Sequence, residues 1–391
     1  MRAAFWLSLA VVLYTYAGYP VIIWALSRIR LRRWARAPIE PSVSIVMAVH
    51  NGEALLAKKI DHLLHLDYPN VREIIVVSDG STDNSDKILR RFEEPRLKPI
   101  ILQEHSGKAV ALNAGIAAAS GDLLLFVDIR PEIAPGAIAQ LVSNFTDSSV
   151  GCVTGELLLK QDGHDGTSAA VSGLYWRYEQ WIRMCESRWD SPVGVYGGFY
   201  MIRRELATAF PAGTILDDML QPLAIIRKGF RAVIDERACV YDIWPKRVSG
   251  EFHRKVRTLA GNFQLFCLAP WVFAQGRVVF QLISHKVLRL IVPYMLVLLL
   301  ISSFALSREF VAFAIAAAVQ IMFWVMAAIG LRHEVPWLHR GTSPAAALLM
   351  LNAAAVVGLY RFLFTKGPLW KIWESQQVED GNAPKRKAAE A

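Results

Sequence analysis

Four long apolar stretches without a charged residue constrain the fold more than any other feature of this sequence. Each has 18 residues or more, the length at which an α-helix can cross the roughly 30 Å hydrocarbon core of a bilayer. The stretches cover residues 4–27, 290–307, 310–331 and 341–360. The sequence therefore predicts an integral membrane protein, with one span before a more polar middle region and three spans after it.

A cluster of arginines follows the first apolar stretch and predicts its orientation. The cluster consists of Arg28, Arg30, Arg32, Arg33 and Arg36. A cleaved signal peptide fits poorly, because the apolar run is too long and the basic cluster follows it. Since basic residues flanking a span stay in the cytoplasm, we expect residues 1–36 to form an anchor and the next domain to be cytoplasmic. This favours a location in the inner membrane of a bacterium.

The same basic flanks account for the net charge of +9. No stripe of basic and aromatic residues accompanies them, so we expect no nucleic-acid partner. The four cysteines are far apart and form no CxxC pair, which argues against a structural zinc site or a disulfide framework.

The middle region alternates between short apolar runs and helical patterns. Apolar runs that are covered on both faces are typical of strands in a parallel sheet, with helices on either side. Strands are predicted at 43–49, 73–78, 99–103, 122–128 and 152–159, and helices at 54–65, 83–92, 107–119, 134–145, 168–187 and from Ser249. The sequence thus predicts an α/β domain with a mostly parallel sheet over 40–270. It also predicts an interfacial helix at 271–289, three transmembrane helices within 290–365 and a polar tail at 366–391.

Two acidic residues end predicted strands. Asp79 follows the run EIIVVS, and Asp128 closes DLLLFVD. Ligands of open α/β sheets bind at the carboxyl ends of the strands, so both carboxylates should lie on the ligand edge. Local roles are the alternative, since Asp79 could form an Asx-turn before Gly80 and Asp83 could cap the next helix.

Three runs occur in an order and spacing that resemble a known family. They read SIVMAVHNGE, VVSDGSTDNS and GKAVALNAGIAAASGDLLLFVDIR. Over residues 42–265 the chain resembles the family-2 glycosyltransferases, in particular membrane-integrated polysaccharide synthases of the cellulose and poly-N-acetylglucosamine type. The resemblance implies a glycosyltransferase A-type fold that binds a nucleotide-sugar donor.

The resemblance also implies roles for residues of the donor half. Ala48 and Glu53 would contact the base and ribose, and Asp79 would hydrogen-bond the base. Lys108 would lie near the donor phosphates, although a solvated lysine at a helix start is the alternative. Asp128 would bind Mg²⁺ or Mn²⁺, which suit carboxylate and diphosphate oxygens.

The metal motif departs from the family pattern, because its third position is Arg130 rather than a second carboxylate. Two explanations stay open. One carboxylate and the diphosphate could hold the ion, or Arg130 could supply part of the positive charge itself.

The second half of the domain resembles the acceptor side of the family. Gly197 and Gly198 would allow close approach of the backbone. Asp218, in TILDDMLQPL, would be the catalytic base of an inverting transfer. The alternative for Asp217 and Asp218 is a helix start, where acidic residues are favourable.

A last segment lies where processive relatives carry a Q-x-x-R-W motif. Arg254 and Arg257 occupy the Gln and Arg positions and would contact substrate, but Thr258 replaces Trp. A basic amphipathic helix at the membrane surface is the alternative. The aromatic stretch at 175–183 could line a sugar channel or anchor the protein at the interface.

The combined features predict an inverting glycosyltransferase that transfers sugar from a nucleotide-sugar, expected to be a UDP-sugar, to a growing polysaccharide or a lipid-linked glycan. Membrane lipids are the other expected partners. An inactive membrane-bound sugar-nucleotide sensor is the alternative, suggested by the incomplete metal motif. A transporter is disfavoured, because the spans contain almost no ionisable residues.

Overall fold

The computed structural model describes residues 1–160, 167–243, 248–274, 276–332, 339–365, 367 and 369. The predicted polar tail at 366–391 lies almost entirely outside these residues, and its prediction is untested.

A twisted sheet forms the centre of the middle region. Its strands are β1 Val43–Val49, β2 Val71–Asp79, β3 Leu97–Leu102, β4 Leu123–Val127, β5 Glu132–Ile133, β6 Val150–Lys160, β7 Phe199–Arg203 and β8 Arg231–Ile243. Within the described residues the strand order is β3-β2-β1-β4-β7-β6-β8-β5. Neighbours among β3, β2, β1 and β4 are parallel, and so are β6 and β8. The predicted α/β fold with a mostly parallel sheet is confirmed.

The sequence patterns missed β5, β7 and β8. Strand β7 runs antiparallel between β4 and β6, and its five residues are too few to show a strand period beside a glycine-rich loop. The pattern of β8 is interrupted by Asp235, Glu236 and Arg237, where its pairing with β6 shifts register. Charges at an irregular point of a strand hide the period on which the sequence reading depends.

Helices cover both faces of the sheet. The helices of this region are α3 Glu53–Leu64, α4 Ser85–Arg91, α5 Lys108–Ala118, α6 Ala137–Ser143, α7 Thr167–Trp189, α8 Asp217–Arg227 and α9 Val248–Leu268. Successive β1 residues enter opposite cores, because Ile45 packs in the cluster that contains Leu56 of α3 and Val46 in the one that contains Leu112 of α5. This alternation explains why β1 is apolar at nearly every position.

Four helices in the described part of the chain are long and apolar enough to cross a membrane. They are Arg2–Ile29, Val279–Leu306, Val311–Leu331 and Pro344–Phe364. The first consists of α1 Arg2–Leu13 and α2 Tyr19–Ile29, joined by a π-helical turn at Tyr14–Gly18. Each lies where the sequence predicted a span.

The segment predicted as a separate interfacial helix at 271–289 is different in the structure. Pro270–Ala274 forms a short 3₁₀ turn, and the helix that starts at Val279 continues through a π-helical segment at Leu282–Val287 to Leu306. The polar residues Gln281 and His285, which suggested a surface face, are fully buried against the middle region.

The buried polar residues of this helix bond to α7. His285 contacts Glu186 through Nδ1 at 2.7 Å and Glu179 through Nε2 at 2.6 Å. Tyr19 of the first candidate span donates to the same Glu186 carboxylate. Helix α7 is therefore bonded to two of the four candidate spanning helices, which fixes the domain relative to them.

Candidate active site

The candidate site lies at the carboxyl ends of β1, β2 and β4. Asp79 is the last residue of β2, and Asp128 directly follows β4. The three strands are parallel neighbours, so these ends lie on one edge of the sheet. The structure thus brings the two predicted carboxylates to the same edge.

Asp79 organises the loop that leads into α5. Its carboxylate accepts hydrogen bonds from the backbone N–H groups of Ser106 at 2.9 Å and Gly107 at 2.8 Å. His105 Nδ1 lies 2.8 Å from Asp79 Oδ2. The side chain is only 2% exposed, so a contact with a nucleotide base would share oxygens that already hold this loop.

Gly80 is required next to Asp79. Its φ is +59°, and a Cβ there would lie 2.3 Å from the backbone nitrogen of His105. An L side chain would push away the loop that Asp79 binds.

Glu53 joins two loops at the same edge. Its carboxylate accepts from the Asn84 backbone N–H at 3.2 Å and side-chain amide at 2.7 Å. Asp83 in turn accepts from the Glu53 N–H at 2.9 Å. This reciprocal pair resembles a capping box. Ala48, near the end of β1, is partly buried.

Lys108 connects the two acidic motifs. It is the first residue of α5, and its Nζ lies 3.1 Å from Asp128 Oδ1 and 3.4 Å from Asp217 Oδ2. Burial acts to lower the pKa of Lys108, but the carboxylates of Asp128, Asp217 and Asp218 outweigh it and raise that pKa above its usual value. The ammonium group is therefore cationic, and the alternative of a merely solvated helix start does not describe it.

The Asp217–Asp218 pair opens α8. Burial, followed by the neighbouring Asp217 charge, raises the pKa of Asp218 to about 7. Burial also raises the pKa of Asp217. A carboxyl group that titrates near neutrality suits a general base, and helix capping alone does not require it.

Gly197 lets the backbone pack against Asp218. A Cβ at Gly197 would lie 3.0 Å from Asp218 Cβ and 3.2 Å from its Oδ2. The carbonyl oxygen of Asp218 also accepts from the Val195 N–H at 3.0 Å. The Asp218 backbone is thus bonded to the chain segment predicted to shape the acceptor side, and its carboxylate lies beside Gly197.

Tyr196 lies beside the candidate site, and the sequence patterns did not single it out. Burial and then the charges of Asp128 and Asp242 raise the pKa of its phenol above its usual value, so the ring lies near these two carboxylates. A Cβ at Gly198 would lie 2.7 Å from the Tyr196 hydroxyl, and the Gly198 carbonyl accepts from the Asp128 N–H at 3.2 Å. Its position just before the paired glycines was the available signal.

Arg130 forms an ion pair with a residue of the sheet. Its guanidinium donates to Asp242 Oδ2 of β8 at 3.1 Å. The charge at the third position of the metal motif is therefore already paired with a carboxylate.

The arginines of the altered Q-x-x-R-W segment lie on α9. Arg254 forms an ion pair with Glu251 at 2.7 Å. The charge of Arg257 acts on Asp217, where it favours the ionised carboxylate. Thr258 donates its hydroxyl to the Arg254 carbonyl at 3.0 Å and offers no flat face for a sugar.

Asp128 is the carboxylate that the sequence predicts to hold a divalent cation. Its side chain is 43% exposed, and among the described residues no cluster of three or more His, Cys, Asp or Glu side chains could hold an ion. Mg²⁺ commonly binds one or two carboxylates and completes its shell with substrate phosphates and water. A single carboxylate at this edge fits that mode of binding.

Comparisons with known proteins bear on the family and the fold. Residues 44–209 match the family model described as glycosyl transferase family 2. An N-acetylglucosaminyltransferase of Rhizobium meliloti (strain 1021) is 26% identical over 249 residues, which cover 59% of this chain and 58% of that protein. A poly-beta-1,6-N-acetyl-D-glucosamine synthase of Staphylococcus aureus (strain COL) is 23% identical over 233 residues, covering 57% and 55%. The chain thus matches somewhat more than half the length of these relatives.

A solved structure shares the fold over nearly the whole chain. The mannosyltransferase PcManGT from Pyrobaculum calidifontis, in complex with GDP-Man and Mn2+, has a TM-score of 0.67 and 22% identity, and the match covers 93% of this chain and 100% of that one. Together, the sheet topology, the acidic residues at its ligand edge and the family match show that this chain carries a family-2 glycosyltransferase domain.

Proposed function

We propose that the protein is an inverting, membrane-integrated glycosyltransferase that uses a nucleotide-sugar and acts on a glycan acceptor at the membrane. One observation supports it above the others. Lys108 lies between Asp128 and Asp217, and Asp218, with a pKa raised to about 7 by burial and by Asp217, is the next residue. Donor and acceptor chemistry therefore meet at one point of the ligand edge.

In this proposal Asp218 is the general base. Its carboxylate removes the proton of the acceptor hydroxyl as that oxygen attacks the anomeric carbon of the donor sugar. The bond from the anomeric carbon to the phosphate oxygen breaks, and the nucleoside diphosphate leaves. Attack from the face opposite the leaving group inverts the anomeric configuration.

Lys108 would offset the charge that develops on the departing diphosphate, because its ammonium group faces the same edge. A Mg²⁺ or Mn²⁺ ion held by Asp128 would supply further charge compensation for the diphosphate when bound. Arg257, whose charge acts on Asp217, would add positive charge to the site, while the charge of Arg254 is paired with Glu251. Gly197 and Gly198 leave room for the acceptor beside Asp218.

The names of the relatives support a finer hypothesis. The Rhizobium relative is named an N-acetylglucosaminyltransferase and the Staphylococcus relative a polymer synthase. We therefore propose a UDP-sugar of the N-acetylglucosamine type as donor, and a growing polysaccharide or a lipid-linked glycan as acceptor. The arginine cluster after the first span supports a cytoplasmic domain in a bacterial inner membrane.

A donor screen tests the proposal. Purified protein in nanodiscs is incubated with nucleotide-sugars, and both nucleotide release and sugar transfer are scored. We expect release with one donor class and its loss in Asp218→Asn. Nucleotide binding without release for any donor would favour the sugar-nucleotide sensor instead.

A further inference from the structure

Apart from the candidate active site, a groove lies between α7 and strands β6 and β8. It has a volume of about 460 Å³, within the range of small-molecule sites. Its lining includes Tyr196, which lies near Asp128 and directly precedes Gly197, and Arg28 in the last turn of α2. The groove therefore adjoins both the candidate active site and the end of the first membrane helix.

The groove carries an excess of positive charge. Four arginines line it, against the carboxylates of Glu156 and Glu236; the arginines are Arg28, Arg177, Arg183 and Arg188. Arg188 is paired with Glu236 at 3.3 Å. The charges that are left favour an anion with several acceptor oxygens, for which guanidinium groups are well suited.

Arg183 is the most informative of these residues. Its Nε is buried and makes no hydrogen bond to any residue in the described part of the chain. Its guanidinium carbon lies 5.4 Å from the centre of the Trp176 ring. A desolvated N–H without a partner is costly, so a ligand that accepts from this guanidinium would bind favourably.

Helix α7 lies beside α2, the C-terminal half of the first candidate span. Ile182 and Cys185 of α7 pack with Tyr19 and Ile23 of α2. Trp181, which lines the groove, is 42% exposed, and Trp24 on α2 is 44% exposed. Exposed tryptophans next to a basic flank are typical of the level of the lipid headgroups.

We propose that this groove binds the phosphate or diphosphate of a lipid-linked acceptor, so that the attached glycan reaches Tyr196 and Asp218. The proposal rests on the glycosyltransferase function and names the acceptor class for the same site. A free phosphate would not require a groove at headgroup level. A bulk phospholipid would not require one that adjoins the catalytic carboxylates.

Direct binding tests the proposal without any glycosyl transfer. The full chain is reconstituted in phosphatidylcholine nanodiscs, and the Kd for farnesyl diphosphate is measured for the wild type, Arg183→Gln and Arg177→Gln. Arg91→Gln is the matched control, since Arg91 is exposed at the end of α4, away from the groove. We expect each groove variant to weaken binding about tenfold or more, as expected for one charge-assisted hydrogen bond, and the control to leave it unchanged.

Competition identifies the source of the phosphate. Inorganic diphosphate and phosphatidylglycerol should each displace the probe at least about tenfold less well than unlabelled farnesyl diphosphate does. Equal affinity of the wild type and both groove variants would overturn the proposal. If inorganic diphosphate competed equally well, the groove would not require a lipid. If phosphatidylglycerol competed equally well, the groove would not be specific for a lipid-linked acceptor.

Fold and function are checked separately. Thermal melting reports whether each variant is folded, and if Arg183→Gln no longer melts cooperatively, the exposed Arg177 carries the test. Since no donor sugar is present, a positive binding result stands even if the donor screen fails. A failed binding result likewise leaves the Asp218→Asn experiment intact.

Discussion

The ionisation of Asp218 makes the sharpest prediction about the mechanism. Burial and the adjacent Asp217 raise the pKa of this carboxyl to about 7. A general base works only when ionised, so the rate of transfer should fall as the pH drops through this value. With a pKa near 7, about one-tenth of the groups are ionised at pH 6 and about nine-tenths at pH 8.

The change Asp218→Asn keeps the size of the side chain and removes the base. We expect kcat to fall by about 10²- to 10⁴-fold, the usual contribution of a positioned proton acceptor, and the residual rate to lose its acid limb. The assay is UDP release coupled to transfer, measured from pH 5.5 to 8.5 at saturating donor. Affinity for UDP should barely change, because the carboxylate acts on the acceptor.

Thermal melting separates catalysis from folding in this experiment. When folding raises the pKa of a carboxyl, the folded protein loses stability as the pH rises from the unfolded-state pKa through the folded-state pKa. At neutral pH the uncharged amide should therefore leave Tm equal or higher. A wild-type rate that is flat across pH 6 to 8, or an Asp218→Asn rate near the wild-type value, would refute the assignment of Asp218 as the base.

Other perturbations test the parts around this base. Lys108→Met removes a charge that lowers the pKa of Asp218, so the midpoint of the pH–rate profile should move above 7, and an unmoved midpoint would contradict the contact geometry. Gly197→Ala should cut kcat about tenfold with UDP affinity unchanged, because the new Cβ meets Asp218 at 3.0 Å, while Gly250→Ala, which meets nothing within 4 Å, is the control. Asp128→Asn should weaken Mn²⁺-dependent UDP binding more than Arg130→Gln does, since Arg130 is paired with Asp242. UDP binding that a chelator leaves unchanged would exclude a role for the metal in donor binding. Protease added to sealed right-side-out vesicles should spare residues 40–270, and ready cleavage there would reverse the proposed topology.

Local patterns predicted the parallel half of the fold well. Strands β1, β2 and β4 each contain an unbroken apolar run and end in loops with glycine or aspartate, and each signal agrees with the others. Asp79 and Asp128 could therefore be placed on one edge before any coordinates were known. The order of the motifs added the expectation of Asp218.

The remaining features depend on contacts that are distant in sequence. Lys108 could be expected near phosphates, but nothing in its own helix shows that it lies between Asp128 and Asp217. His285 looked like part of an interfacial face because its bonds to Glu179 and Glu186 come from α7. Asp79 looked free to bind a base because the N–H groups it accepts from belong to a loop 27 and 28 residues further on.

The position of Lys108 also bears on the missing second carboxylate of the metal motif. A site with Asp128, Asp217 and Asp218 at one edge carries strong negative charge, which would repel a diphosphate unless cations offset it. Lys108 provides one fixed cation inside this cluster, and Arg257 acts on Asp217 from α9. Arg130 gives little of its charge to the cluster, because it is paired with Asp242. The presence of Arg130 in place of a carboxylate therefore reduces the number of acidic groups that a donor must approach. Asp128 remains as one carboxylate for a metal ion whose coordination shell the diphosphate would complete. On this reasoning the altered motif is compatible with catalysis and gives no reason to regard the domain as inactive.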